Sequence, residues 1–399
     1  GNVSGSYYLD GYMAEAHFID GTAKAPADFG ETGDYGEWKP IEYSGSYGTN
    51  GFYLPFKQDY TVEGFSTVVA PVNAVTQYIG GTGFKPDLTW IKIRNRNASH
   101  SIFDSVRGGT ASLMSDDNDG ERTNEGNISF DTDGYSITST HPRISGDSGS
   151  GHHSVAWNWD MGGSNATNTD GSITSTVRAN PTYGQSIVSY TGTGANATVG
   201  HGLSSAPEMI ITKNRDSAID SVIYHSGTSA NPQNEALSLS TTSGNSDYHW
   251  WNDTAPTSSV FNLGNANTNN SGAKFIAYCF HSVTGYSKFG SYSSDGSTDG
   301  SLSVTVGFKP AFVMTKKTSA AAGWVMVDNT RNPTNPVNKY HYANNSDVEA
   351  SGSLFNFTDT GFSILTNLAG VNSASGEYIY AAFADKREYA YWLDQSGNN

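Results

Sequence analysis

One spacing recurs three times in this sequence and limits its architecture before any other reading. A proline opens a β-type run that reaches a lysine six residues on, in Pro86-Asp-Leu-Thr-Trp-Ile-Lys92, Pro207-Glu-Met-Ile-Ile-Thr-Lys213 and Pro310-Ala-Phe-Val-Met-Thr-Lys316. A second apolar run then begins its branched residue at Val155, Ile276 or Ile379, which is 69 residues after the proline in every copy. A fixed offset between two strands in three copies marks one supersecondary blueprint repeated in tandem. Smaller echoes agree with it. Gly83-Phe84-Lys85 matches Gly307-Phe308-Lys309, and Phe130-Asp-Thr-Asp-Gly134-Tyr-Ser-Ile137 resembles Phe357-Thr-Asp-Thr-Gly361-Phe-Ser-Ile364. Ser186 to Tyr190 parallels Ser287 to Tyr292 if one residue is skipped.

Runs of four to seven residues rich in Val, Ile, Thr, Tyr, Phe and Trp alternate with Asp-Gly, Thr-Gly and Asn-Gly turns, which is the pattern of strands and hairpins. The expected fold is all-β, a tandem array of three related β-sandwich modules lying in a row. The modules span 61–163, 186–284 and 285–386, with a polar linker or added hairpin over 164–185 and the start of a further segment or tail over 387–399. A repeat of roughly 100 residues with several short strands has the size of a sandwich. Ile276-Ala-Tyr-Cys-Phe280 is apolar throughout, as a central strand buried on both faces requires, whereas Lys288 to Tyr292 alternates like a half-exposed one. The recurring Lys92, Lys213 and Lys316 fall at the far end of their strands. There a lysine protects an edge or pairs with an acid of the next module, and edge protection is the simpler reading.

Charge and composition exclude some functions. With 22 Lys+Arg against 38 Asp+Glu the net charge is −16, so nucleic acid is not an expected partner. The 23 Tyr, 18 Phe and 8 Trp supply the apolar surface that a disordered chain lacks. No apolar run is long enough to span a bilayer as a helix, so membrane insertion is not expected either. The start at Gly1 and the polar end at Asn399 suggest a piece of a longer or processed protein.

Candidate chemistry is sparse. Cys279, the single cysteine, lies mid-strand and reads as a small buried hydrophobe. Gly149-Ser-Gly-His-His153 brings Ser and His together, but a triad is defined by geometry and not by adjacency, so no catalytic residue is assigned. Asp116, Asp117, Asp119 and Glu121 crowd hard oxygen donors into six residues, a composition that suits calcium and equally suits a charged hairpin tip. Asp247-Tyr-His-Trp-Trp-Asn-Asp253 sets aromatic platforms beside polar groups, and Tyr248, Trp250, Trp251 and Asp253 are the candidate glycan contacts. Trp157 and Trp159 sit in the repeated strand and read as core. The Asn-x-Ser/Thr triplets at Asn97, Asn127, Asn196 and Asn252 follow from composition.

Two resemblances add to this reading. Tyr7 to Gly21, the turn at Ala25-Pro-Ala-Asp-Phe-Gly30 and Tyr47 to Leu54 resemble the closing strands of a laminin-G/concanavalin-like sandwich, so residues 1–60 are expected to form a partial β segment. That stretch, the Gly-Phe-Lys-Pro units, Asn168-Thr-Asp-Gly-Ser-Ile-Thr-Ser and Asn332-Pro-Thr-Asn-Pro-Val-Asn-Lys-Tyr340 together resemble the tail-fibre-type structural proteins of marine tailed bacteriophages. What the resemblance implies is a virion appendage outside the cell, homo-oligomeric and read as a trimer, that meets other virion or surface proteins and a host-surface glycan. The expected function is therefore structural and adhesive, without catalysis, the repeats acting as a spacer. Two alternatives stay open: a tailspike-like polysaccharide depolymerase, and a carbohydrate-binding array of a secreted or cell-surface bacterial adhesin.

Overall fold

Each proline-anchored run forms a strand that hydrogen-bonds to the run 69 residues on. These anchored strands, Leu88–Ile93, Met209–Asn214 and Phe312–Lys317, pair antiparallel with return strands His152–Trp159, Lys274–Phe280 and Glu377–Phe383. The register is the same each time, with Lys92 opposite Val155, Lys213 opposite Ile276 and Lys316 opposite Ile379. On its other edge every return strand takes a lead strand: Phe65–Val72, Gln185–Thr191 or Ser287–Ser293. Every anchored strand takes an outer strand: Ser101–Asp104, Val222–His225 or Val325–Asp328. The order lead, return, anchored, outer thus occurs three times, and the fold is all-β with three related sandwich modules. Phe65, Gln185 and Ser287 stand opposite Trp159, Phe280 and Phe383, so Tyr190 aligns with Tyr292 and the parallel between the lead strands needs no skipped residue.

These coordinates are a computed structural model that describes residues 15–33, 38–54, 64–123, 125–149, 151–264 and 266–385. The chain divides into two compact units, Glu63–Asp385 and a smaller one of Gly1–Val62 with Lys386–Asn399. In the smaller unit Ala16–Phe18 pairs with Phe52–Leu54, Gly30–Thr32 pairs with Trp38–Pro40, and Pro26–Asp28 forms a single 3-10 turn. The expected strand residues Tyr7 to Ala14 and the expected tail 387–399 lie outside the described residues. Between the first two modules, Ala166–Asn168 and Ser175–Asn180 form a hairpin that adds two strands to the sheet of the second.

Both faces of the anchored strands and of most of each return strand are buried, which is why Ile276 to Phe280 reads as an unbroken apolar run. One face covers the module's own second layer. In the first module Ile91, Ile93 and Ala156 meet Ile79, Ile128, Tyr135 and Ile137 of the three-stranded partner sheet. The second and third modules repeat this with Ile210, Ala277 and Cys279, and with Val313, Tyr380 and Ala382. The other face joins a core shared by all three modules, in which Leu88, Trp157 and Trp159 meet Met209, Tyr278 and Phe280 and also Phe312, Ala381 and Phe383. An apolar cavity of about 30 Å³ lies at the centre of that core. The echo of Phe130-to-Ile137 in Phe357-to-Ile364 is one hairpin built twice, in 127–131 with 134–139 and in 350–358 with 361–364. A Cβ on Gly134 would stand 2.1 Å from the Ile79 carbonyl oxygen, and one on Gly361 would stand 2.0 Å from that of Val304. The shared glycine is therefore a steric requirement of the neighbouring strand.

The modules are not a row, because the first and third meet directly and the contacts run in a closed cycle. Lys92 Nζ of the first module donates to the Ser346 carbonyl of the third, Lys213 Nζ of the second to Asn118 of the first, and Lys316 Nζ of the third to Thr242 of the second. Backbone bonds follow the same circuit: Glu349 to Arg94, Glu121 to Arg215 and Asn245 to Thr318, each acceptor lying eight residues after its proline. Head-to-tail contacts whose rotation closes make a ring. The ring is formed here within one chain. The lysines are consequently not edge guards. They are almost fully buried on interior strands, each held by a main-chain carbonyl of its own module and by one across a module boundary.

Burial pushes each of these ammonium groups down to about 8, against opposing acids only for Lys92 and Lys213. Between pH 8 and the ordinary lysine range the unfolded chain binds more protons than the folded one, so stability rises with pH there. Above about pH 10 the buried tyrosines reverse the sign, since burial raises Tyr135, Tyr278 and Tyr286 and only the unfolded chain then ionises. Melting temperature measured from pH 7.5 to 11 is expected to climb to a maximum near pH 10 and then fall.

Candidate functional site

The second module carries the loop on which the sequence placed its aromatic platforms. Its outer strand passes to Glu235–Ser238, which pairs with the short strand Ser246–Asp247. The chain then crosses the open end of the module's own core from Tyr248 to Asp253. One side chain fastens it there. Trp251 is 1% exposed and its ring meets Tyr224 edge-on at 5.8 Å, within the core that contains Phe261, Leu263 and Phe275. The Trp250 carbonyl accepts from the Gly264 amide at 2.7 Å and from Thr268 Oγ1 at 2.8 Å. Trp251 is thus a core anchor and leaves the set of candidate glycan contacts, because a ring with no solvent face offers no platform.

The neighbours of this anchor face outward. Tyr248 is 47% exposed and stacks on the half-buried Trp250 with ring centroids 4.0 Å apart and planes 6° from parallel. Asp247, His249 and Asp253, on the same loop as the pair, are all exposed and cluster with one another. His249 Nδ1 lies 2.6 and 2.7 Å from the two oxygens of Asp253, and Nε2 lies 3.6 Å from Asp247. The Asp253 hydrogen bond, and then the Asp247 charge, raise the imidazole above its ordinary value. Asn196 reaches across from the adjoining turn to bond Asn252. Of the sequence-chosen residues, Tyr248 and Trp250 form a stacked pair and Asp253 joins Asp247 and His249 in a cluster on the same loop.

The acidic run of the first module does not form a cation cage. Asp116 Oδ1 accepts the His100 amide at 3.0 Å, Asp117 and Asp119 share Arg122, and Glu121 binds Arg215 at 2.8 Å and Arg107 at 3.3 Å. Although burial opposes it, the two arginines hold Glu121 below the usual carboxylate range. Each acid is already committed, Asp116 to a backbone amide and the other three to arginines. No calcium site is assigned to Asp116, Asp117, Asp119 and Glu121, since a cation there would compete with arginines already seated.

Other reactive groups have structural duties. The Cys279 thiol is buried and pushed up by that burial, which removes thiolate character. His152 and the His153 amide are tied to Asn95 Oδ1 at 3.1 Å, and Ser150 lies outside the described residues. A groove of about 440 Å³ beside the first module holds Asp87, Asp160, Lys85 and Arg178. Burial raises the Asp87 carboxyl, but its oxygens already take Arg178 at 2.5 Å, Ser105 at 2.8 Å and the Met161 amide at 3.1 Å. Glu208, the residue after the second proline, likewise accepts the Ser282 amide. A role repeated at equivalent positions of two modules is architectural.

Residues 61–387 match the model of a family described as a domain of unknown function, DUF7483. No curated protein and no solved structure matches the chain.

Proposed function

The chain belongs to the DUF7483 family, and for this member we propose a non-enzymatic extracellular attachment function, as part of a tail-fibre-type virion appendage whose second module contacts a host-surface glycan. The observation that carries the reading is the stacked Tyr248 and Trp250 pair on a loop pinned by Trp251. A flat aromatic face beside carboxylate and amide groups suits a pyranose ring, with its apolar face on the aromatic and its hydroxyls on the polar rim. Pinning lowers the entropic cost of ordering the loop on binding. The closed ring of modules favours a compact head over a spacer, so within the appendage the chain's proposed task is attachment more than reach, beside other copies of itself and other virion proteins.

The test is binding of the full chain to a glycan array. Tyr248→Ala and Trp250→Ala are each expected to weaken the best glycan about tenfold or more, equivalent to roughly 1.4 kcal/mol, with melting temperature unchanged for the exposed Tyr248. Incubation with the same polysaccharide is expected to leave its viscosity unaltered. Array binding indifferent to both substitutions removes the site, and a fall in viscosity removes the non-enzymatic reading.

A further inference from the structure

We propose that Asp247, His249 and Asp253 bind a divalent transition cation of the zinc class on the loop that carries the aromatic pair. A ligand atom from each residue lies within 4.8 Å of those from the other two. An imidazole nitrogen with two carboxylates is a borderline donor set that suits zinc-like ions, whereas calcium takes six to eight oxygens.

Two further observations favour a cation here over a solvated cluster. The first is charge. Asp247 and Asp253 have His249 as their ion-pair partner and no lysine or arginine among the described pairs, in contrast to the acids at 116–121, which arginines neutralise. With the imidazole neutral, nothing within the cluster offsets the charge of the two carboxylates. The second is support. Asp247 is fixed in a strand opposite Glu235, the Tyr248 amide donates to the Asn234 carbonyl, and Trp251 is buried between His249 and Asp253. The ligands are therefore held on a seated backbone, the condition for a site of useful affinity. Three protein ligands leave coordination positions open to water or to vicinal sugar hydroxyls. In that role the ion deepens the glycan reading given above and rests on it, while cation uptake by itself does not.

The probe is Zn²⁺ alone, titrated into the full chain at pH 7.5 against a chelating indicator. One equivalent is expected to bind, to be lost in His249→Ala and in Asp253→Asn, and to persist in Tyr248→Ala, which removes the sugar platform and leaves the ligands. Uptake is expected to weaken as pH falls below 7, because protons and metal compete for the same imidazole. Absence of stoichiometric uptake overturns the proposal, as does uptake unchanged in His249→Ala. Ca²⁺ binding in preference to Zn²⁺ overturns the assigned class. Since all three ligands are exposed, unchanged melting temperatures will show that loss of uptake is not loss of fold. Glycan binding that fails while Zn²⁺ uptake stands removes only the attachment reading.

Discussion

Asp328→Ala is expected to lower the stability of the large unit by about 3–5 kcal/mol, the usual consequence of removing one partner of a buried ion pair. Asp328 and Arg331 have no exposed side-chain surface, and the carboxylate accepts Arg331 Nε at 2.6 Å. It also accepts Trp157 Nε1 of the first module at 3.1 Å, so its loss leaves a buried indole without its acceptor and a buried guanidinium with one carboxylate partner, Glu349 at 3.1 Å, in place of two. Asp104 makes the same arrangement with Arg107, and across the boundary with Tyr278 of the second module at 2.8 Å. Asp104→Ala should therefore cost a similar amount. Urea unfolding followed by tryptophan fluorescence measures both, and a change under about 1 kcal/mol in either contradicts the account of these boundaries. Asp328→Asn, which keeps an acceptor oxygen and the side chain's shape, is expected to cost less than the alanine variant.

The third boundary replaces charge with a histidine, and acid should find it first. At the position of Asp104 and Asp328, 18 residues after the proline, the second module has His225. Its Nδ1 accepts the Gly227 amide at 3.0 Å, which leaves Nε2 to donate to the Tyr380 carbonyl of the third module at 3.1 Å. The Phe289 ring lies against it at 6.4 Å. A second proton on Nδ1 would face an N–H that is already pointed at it. Burial pushes the group down to about 4, with only the Tyr380 carbonyl opposing. The folded value lies below the unfolded one, so the stability it confers is present above pH 6.5 and is lost as pH falls towards 4. The loss is on the order of 3 kcal/mol at 1.36 kcal/mol per pH unit. His100 and His341, also lowered chiefly by burial, add in the same direction at the boundary of the first and third modules. Unfolding free energy measured between pH 7 and 4 should fall steeply, and His225→Gln, which keeps the donor to Tyr380 and cannot be protonated, should flatten the slope. An unaltered slope in that variant contradicts the assignment to His225.

Much of the sheet was legible because its signal is local and repeated. The proline, the lysine and the branched residue 69 positions on fix one strand pair and its register, and the all-apolar Ile276 to Phe280 run correctly marks a strand covered on both faces. What covers the second face was not legible. A face against a neighbouring module and a face against a second layer are both simply apolar in sequence. The ring had one recoverable sign, Asp104-x-x-Arg107 and Asp328-x-x-Arg331 at the same distance from their prolines, with Arg94 and Arg215 eight residues after theirs. Charged residues at fixed positions in copies of a core-forming repeat point to a boundary between copies. The candidate site was half legible for a similar reason. Tandem tryptophans announce aromatic surface, but only the fold decides that Trp250 faces out and Trp251 in, or that His249 turns between two aspartates four and two residues away.

The ring is tested most directly by a distance between its first and last modules. Asn97 and Val348 are exposed and joined by a 3.2 Å bond from the Val348 amide to Asn97 Oδ1, although 251 residues separate them. Because Cys279 is the only native cysteine and is buried, spin labels on Asn97→Cys and Val348→Cys in the full chain report that one pair. A closed cycle predicts a single short distance, within about 20 Å once label linkers are allowed for. Modules in a row would put a whole module between the labels, and a distance beyond about 35 Å, the width expected of a domain near 100 residues, would contradict the architecture on which the rest depends.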